Sequence, residues 1–217
     1  FLHTFIKMKL LFLGIIAFIL LLPVFSIHLS LRNEINKSYC LLFESNITGT
    51  LHYEDERNST ISREFTIPEN SGETTLDDDA STCGEKFQVL SFSFVPLMTP
   101  VVPETETNYP WHIKLTFNKS DDGQRYLLHQ YLLTVFFYSN MNSTENSNYI
   151  TIPHFYGPPK DSRIEWTAAI NSSQGPTGFL CSQNDLPLNY TDSMLHFNHL
   201  KIVAFANQSS PDFINSQ

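Results

Sequence analysis

Apolar and polar residues alternate with a period of two along several segments of the chain, a pattern that predicts β-strands. The clearest segment runs from Trp111 to Phe117, with apolar side chains at every odd position and polar ones at every even position. The same period recurs over 163–170 and 90–94, and in a weaker form over 47–53. Each of these segments is therefore expected to form a strand with one buried face.

Two longer segments carry mixed signals. Residues 195–205 have apolar side chains on both faces, which favours a central strand over an edge strand. Residues 125–137 fit a helical stripe through Tyr126 and Tyr131, but the later Leu133, Val135 and Phe137 favour a strand. We predict a strand here as well.

Clusters of Ser, Asn, Asp, Gly and Pro separate these segments and are typical of turns in a multi-stranded antiparallel protein. They lie at 68–86, 96–110, 118–125, 139–148, 157–162 and 171–176. We find no internal repeat and no long linker. The chain is therefore predicted to fold as one all-β, antiparallel, sandwich-like domain of roughly 180 residues.

The N-terminal segment has the features of a secretory signal peptide. Met8 and Lys9 precede an apolar run over 10–25, and Ser26 supplies a small residue at its end. We predict a signal peptide at 8–26. Residues 1–7 are then upstream read-through, translated from sequence that precedes the start codon at Met8. The alternative, an uncleaved anchor, needs about 20 apolar residues, whereas this run is shorter and is interrupted by Pro23.

Glycosylation sequons, Asn-x-Ser/Thr, are unusually dense in the chain. Together with a signal peptide they predict a glycosylated surface in the secretory lumen. Charged residues make up only 16% of the chain, below the roughly 25% typical of soluble proteins, and glycans would solvate the surface in their place. The predicted acceptors are Asn36, Asn46, Asn58, Asn118, Asn142, Asn171, Asn189 and Asn207.

The balance of charge argues against nucleic-acid binding. The chain has 22 acidic and 13 basic residues, a net charge of −9. Binding to a phosphate backbone requires a basic face. We therefore expect no nucleic-acid partner.

The three cysteines, Cys40, Cys83 and Cys181, are an odd number for an oxidising compartment. A bridge between Cys40 and Cys83 would close a loop of 43 residues, worth about 3–4 kcal/mol in the chain-entropy model. A loop of similar size opened by Cys181 would close beyond Gln217, so we expect its partner there. The alternatives are an intermolecular bridge or a buried free thiol. No Cys-x-x-Cys pair indicates zinc.

Catalytic and metal-binding patterns are sparse, and we predict no catalytic residue, no metal site and no cofactor. The common hydrolase, nucleotide and zincin signatures do not occur. His196 and His199 are three apart, so on a strand they face opposite ways unless a bulge intervenes. Residues 77–79 with Glu73 could hold calcium but lack the glycine and distal glutamate of an EF-hand loop. A solvated acidic loop is the simpler interpretation.

Taken together, these features resemble one luminal domain of the lysosome-associated membrane protein (LAMP) family. The resemblance is carried by cysteine order, sequons and short strand segments, without a catalytic peptide. The matching segments are Tyr39-Cys40-Leu-Leu-Phe43, Ser81-Thr-Cys83-Gly84, Ile113-Lys-Leu-Thr-Phe117, Gly178-Phe-Leu-Cys181 and Leu200-Lys-Ile-Val-Ala-Phe-Ala206.

The resemblance implies a β-prism fold, with 39–217 as the luminal domain and 27–38 as a short segment before it. It implies a bridge between Cys40 and Cys83, with Cys181 opening a second bridge whose partner follows residue 217, ahead of a membrane span and a short sorting tail. Family membership further implies a non-enzymatic role in the glycan coat of lysosomes and late endosomes, and in lysosome integrity and trafficking. The partners it implies are other lysosomal membrane proteins and further copies of the domain.

Two other functions remain open. A secreted, glycosylated binding or adhesion module would share the signal peptide and the sequons. A secreted enzyme is motivated only by His196 and His199. The secreted module differs from a LAMP-like domain in where the protein accumulates. The enzyme differs from it in that activity would depend on the two histidines.

Overall fold

A computed structural model of the protein describes residues 26–54, 60–69, 72–99, 110–138, 151–159, 166–171, 175–189 and 192–213. Within these ranges every regular element is a strand, and all strand pairs are antiparallel. The predicted all-β antiparallel class is confirmed. The signal peptide prediction lies outside the described residues.

Six of the strands form one sheet, which we call sheet A. They are β1 (Ile27–Arg32), β2 (Tyr39–Glu54), β3 (Thr60–Thr66), β7 (Leu97–Thr99), β13 (Phe179–Pro187) and β14 (Met194–Gln208). Their order is β13-β14-β2-β3-β7, and β1 also pairs with β2. β14 thus lies between two neighbours, as the apolar residues of 195–205 predicted.

The other sheet, sheet B, contains eight strands. They are β4 (Thr74–Leu76), β5 (Thr82–Cys83), β6 (Phe87–Phe94), β8 (Trp111–Lys119), β9 (Arg125–Tyr138), β10 (Thr151–Tyr156), β11 (Thr167–Asn171) and β12 (Gly175–Pro176). Six of them pair in the order β12-β11-β9-β8-β6-β4, and in addition β10 pairs with β9 and β5 pairs with β6.

The two sheets enclose an aromatic core, because the apolar positions of their strands face each other. Phe65 of sheet A stacks on Phe94 of sheet B at 6.2 Å between ring centroids, and the edge of Trp111 meets Phe65 at 5.1 Å. Phe43 similarly contacts Phe92 across the sheets at 6.1 Å. Aromatic pairs in tilted or edge-to-face geometry add stabilisation beyond their buried area.

Two bulges in β14 change which side chains face the core. His199 and Phe205 have positive φ angles of 52° and 58°, and the pairing with β2 shifts register near each of them. The backbone N–H of Phe205 donates to the Oε1 of buried Gln88 at 2.7 Å. Gln88 therefore accepts a hydrogen bond from a backbone N–H that the second bulge removes from the ladder with β2.

The bulge at His199 accounts for most of the apolar residues on both faces of 195–205, because Leu200, Ile202 and Ala204 belong to the main core after it. A small apolar cluster on the outer face of sheet A accounts for Val203. Leu42, Val203 and Ala206 are buried there beneath Phe213 and Tyr39. The segment that follows β14 thus folds back over the sheet.

The structure differs from the sequence prediction at the N-terminal boundary of the domain. Residues 27–38 were set apart as a short segment, but β1 belongs to sheet A and pairs with β2 over its whole length. The reason is its own alternation, since Ile27, Leu29 and Leu31 are buried in the core. Several predicted turn regions also contain short strands, namely β4, β5, β7 and β12.

Gly49 of β2 lies directly opposite Phe65 of β3, whose ring occupies the space that a side chain would take. We expect Gly49→Ala to destabilise the fold by about 1–3 kcal/mol, because the added methyl overlaps that ring and reaches 3.0 Å from the Met194 carbonyl oxygen. Urea unfolding measures this change. Gly72→Ala is the matched control, since nothing lies within 4 Å of its added methyl; equal effects of the two substitutions would contradict the prediction.

Candidate functional site

The two histidines that motivated an enzyme lie at a bulge on sheet A. His196 Nδ1 is 2.8 Å from Asp185 Oδ1, whereas His199 is an exposed bulge residue. Across the described ranges, no group of three or more His, Cys, Asp or Glu side chains is placed to hold a metal ion. The His–Asp contact is a cross-strand polar pair, because Asp185 and His196 are opposite each other in the ladder.

The acidic segment 77–79 forms a turn. Asp77 Oδ1 accepts a hydrogen bond from the N–H of Ala80, and its carbonyl accepts one from Ser81. Both interactions are typical of aspartate at the start of a turn. Local backbone geometry therefore accounts for Asp77, and its two acidic neighbours are exposed.

The structure joins Cys40 and Cys83 in a disulfide, with the two Cα atoms 5.8 Å apart. Cys40 lies in β2 of sheet A and Cys83 in β5 of sheet B. The bridge therefore links the two sheets covalently. It also anchors β5, a strand of two residues whose ladder partner is β6.

Cys181 is a free thiol, partly exposed on β13 at one edge of sheet A. Its Sγ donates to the Gln183 carbonyl at 2.8 Å, two residues along the same strand. Its side chain packs against the core cluster.

Three sequon asparagines, Asn36, Asn189 and Asn207, are exposed. Asn36 is in the turn between β1 and β2, and its Oδ1 accepts hydrogen bonds from both the N–H and the hydroxyl of Ser38, the sequon serine. Asn189 follows β13, and its Oδ1 accepts from the N–H of Gly157. These positions leave room for a bulky modification.

The remaining sequons lie within strands or outside the described residues. Asn46 is half-buried on β2, opposite Asn198 of β14. Asn118 is half-buried on β8, and Asn171 ends β11. Asn58 and Asn142 fall outside the described ranges.

Tyr126 connects the sheets by hydrogen bonds that the sequence did not indicate. From β9 of sheet B, its hydroxyl lies 2.8 Å from the Ile202 carbonyl and 3.1 Å from that of Thr177. The same oxygen accepts from the N–H of Phe179 at 3.2 Å. Burial raises the pKa of this hydroxyl well above its ordinary value, and the hydrogen bond from Phe179 opposes that rise.

We expect Tyr126→Phe to lower the free energy of unfolding by about 1–3 kcal/mol, because the buried N–H and carbonyl groups lose their partner. Chemical unfolding at neutral pH tests this loss.

The raised pKa means that the folded state holds the phenolic proton of Tyr126 more tightly than the unfolded chain does. The stability that this proton contributes is complete below the pKa of an unfolded tyrosine, about 10, and is lost as pH rises above that value. Tyr126→Phe should therefore weaken the decline of stability above pH 10, and an unchanged alkaline profile would contradict this assignment.

No helix among the described residues has the length and apolar character needed to cross a membrane.

Comparison with solved structures finds the same fold in luminal domains of lysosome-associated membrane proteins. The membrane-proximal domain of mouse LAMP-1 matches with a TM-score of 0.57 at 14% identity, over 85% of this chain and 91% of that one. Human LAMP-3 matches with a TM-score of 0.54 at 14% identity, over 88% and 94% respectively. The membrane-distal domain of mouse LAMP-2 gives a TM-score of 0.55 at 16% identity, over 85% and 93%. No protein-family model and no curated protein sequence matches the chain.

Proposed function

We propose that this chain is the glycosylated luminal domain of a LAMP-like membrane glycoprotein of lysosomes and late endosomes, with a non-enzymatic, protective role. The observation that carries the proposal is the LAMP luminal fold extending over at least 85% of the chain. A disulfide joins its two sheets. Fold alone does not determine function, so the sequons and the chemistry of the surface must agree with it.

The distribution of sequons supports a role in a glycan coat. Asn36, Asn189 and Asn207 are exposed at turns or strand ends, and Asn46 lies on the outer side of the central strand β2. Glycans at these positions would cover sheet A and the turns beside it. A net charge of −9 would also keep neighbouring domains apart.

Resistance to proteolysis is the physical property that such a coat requires. Proteases cleave segments that open locally, and here the two sheets are joined by the Cys40–Cys83 bridge and by the Tyr126 hydroxyl. The aromatic core between the sheets opposes their separation. These features favour a domain that opens rarely and therefore resists proteolysis.

Placement in the lysosomal membrane rests on the likeness to LAMP domains. We propose that a cysteine partner for Cys181, a membrane span and a sorting tail are encoded beyond Gln217. The proposed partners are other lysosomal membrane proteins and further copies of the domain.

Glycosylation is tested by expressing the chain in secretory cells and treating it with a glycosidase. We expect a loss of mass equal to several glycans, whereas a loss of one glycan or none would contradict a coat. Asn36→Gln should reduce that loss by the mass of one glycan. Asn33→Gln, in the same turn but outside any sequon, is the matched control and should remove none.

Localisation separates the proposed function from a secreted module. Reading the transcript beyond the codon for Gln217 and imaging its full product test for an anchored lysosomal protein. A stop codon near that point and recovery from the medium would favour the secreted alternative. Loss of a measured activity on joint replacement of His196 and His199 by alanine would instead favour an enzyme.

A further inference from the structure

An exposed aromatic side chain lies directly opposite one sequon asparagine. Phe87 of β6 and Asn118 of β8 are paired in register in sheet B. Their strand neighbours Gln88 and Phe117 are buried, so Phe87 and Asn118 both point to the outer face. The β-carbons of directly opposed residues lie about 4.5–5.5 Å apart.

Phe87 is a large apolar side chain outside the core. It is 54% exposed, whereas the core positions of β6 are Leu90, Phe92 and Phe94. On the other side of Asn118, Leu127 of β9 is its cross-strand partner and is half-buried. The sequon asparagine therefore stands between two apolar neighbours.

The Oδ1 of the Asn118 amide is turned inward. Its Oδ1 is the only buried side-chain oxygen or nitrogen without a hydrogen-bond partner among the described residues. Because Oδ1 and Nδ2 lie on different sides of Cγ, an inward Oδ1 turns Nδ2 outward. Nδ2 is the atom that carries an N-linked glycan.

We propose that Phe87 is a platform for the first N-acetylglucosamine of a glycan on Asn118. This inference rests on the glycosylation in the proposed function and assigns a carbohydrate contact to one of its sites. The sugar ring has a face of C–H groups that packs on an aromatic ring by dispersion and apolar burial. Packing there would cover the exposed part of Phe87.

The position of Phe87 gives this contact a structural consequence. It starts β6 four residues after Cys83, across the turn that connects β5 to β6. A sugar bound between Phe87 and Asn118 would hold the start of β6 against β8. It would thereby stabilise the hairpin that carries the disulfide.

A double-mutant cycle on the secreted glycoprotein tests the contact. The four proteins are the unmodified chain, Phe87→Ala, Asn118→Gln and the double variant, and the readout is the melting temperature. Each is measured with intact glycans and again after an endoglycosidase has trimmed every site to one N-acetylglucosamine. Asn118→Gln is preferred to a change at Ser120, because the Ser120 hydroxyl also bonds Asp122 and Arg125 in the β8–β9 turn.

We expect Phe87→Ala to lower the melting temperature by about 2–4 °C when Asn118 carries a sugar, and to have little effect in the Asn118→Gln background. The coupling should survive trimming to one sugar. Phe155→Ala is the matched control, since Phe155 is 57% exposed on β10 but lies opposite Thr134; its effect should not depend on Asn118.

Mass spectrometry of the Asn118 peptide keeps the two proposals distinguishable. An occupied Asn118 without coupling to Phe87 would overturn this inference and leave the proposed glycoprotein intact. An unoccupied Asn118 beside other occupied sequons would also overturn it. A total loss of one glycan or none across all sequons would contradict the proposed function as well.

Discussion

Replacing Cys40 with serine is expected to lower the free energy of unfolding by about 2–5 kcal/mol, the usual cost of losing a native bridge. Secretion should fall sharply as a result. The bridge closes a loop of 43 residues and joins β2 to β5 across the two sheets. Without it, β5 depends on the ladder pairs Thr82–Val89 and Cys83–Gln88.

The matched variant Cys83→Ser separates the loss of the bridge from the cost of a buried hydroxyl. Cys40 is buried, whereas Cys83 is partly exposed, so a serine at 83 remains nearer to water. We expect both single variants and the double variant to lose most of the same stability, because any of them removes the same bond, and the excess loss in Cys40→Ser measures the cost of burying its hydroxyl. Denaturant unfolding and the yield in the medium measure the outcome. Secretion at the level of the unmodified chain would show that the bridge is not structural.

Local periodicity was sufficient to predict most of the strands, because it depends only on which residues face the core. β8 follows from it directly, whereas the central position of β14 was predicted from the apolar residues of 195–205. The choice of a strand over a helix at 125–137 is confirmed by β9, whose Tyr131, Leu133 and Val135 are buried. Alternation is also present in β1, where it places Ile27–Arg32 in sheet A.

Contacts between strands that are distant in sequence could not be predicted in the same way. The Tyr126 hydroxyl bonds a carbonyl 76 positions away, and Phe87 faces Asn118 only because β6 and β8 pair in one register. A shift of one residue would place Phe87 against a different neighbour. Register is a property of the assembled sheet, so the sequence alone revealed the sequon but not its aromatic neighbour.

The bulge at His199 shows how a local deviation changes an argument about function. Regular alternation places His196 and His199 on opposite faces, and the sequence left a bulge as the exception. The structure has that bulge, and His199 adopts a positive φ of 52°. The bulge shifts the alternation by one residue, so that Leu200 belongs to the core as Leu195 and Phe197 do. His196 pairs with Asp185 across the strands, and no metal or catalytic group forms around the two histidines in the described residues.

Trp166 is the position at which we expect the second large loss of stability. It precedes β11 of sheet B and is fully buried against sheet A. Its ring meets the edge of Phe197 at 4.9 Å and stacks on Phe179 at 5.9 Å, and its indole N–H donates to Asn184 Oδ1. We expect Trp166→Ala to cost about 3–5 kcal/mol, because the cavity lies between strands of both sheets and cannot close without moving them.

Trp166→Phe and Asn184→Ala divide this loss into packing and hydrogen bonding. The phenylalanine variant keeps an aromatic ring but is smaller than the indole and leaves the half-buried amide of Asn184 without its donor, so we expect an intermediate loss of about 1–3 kcal/mol. Trp111 is the other of the two tryptophans and still reports unfolding by fluorescence in both Trp166 variants. If Trp166→Ala lost less than about 1 kcal/mol, Trp166 would not be the contact that holds β11 to sheet A.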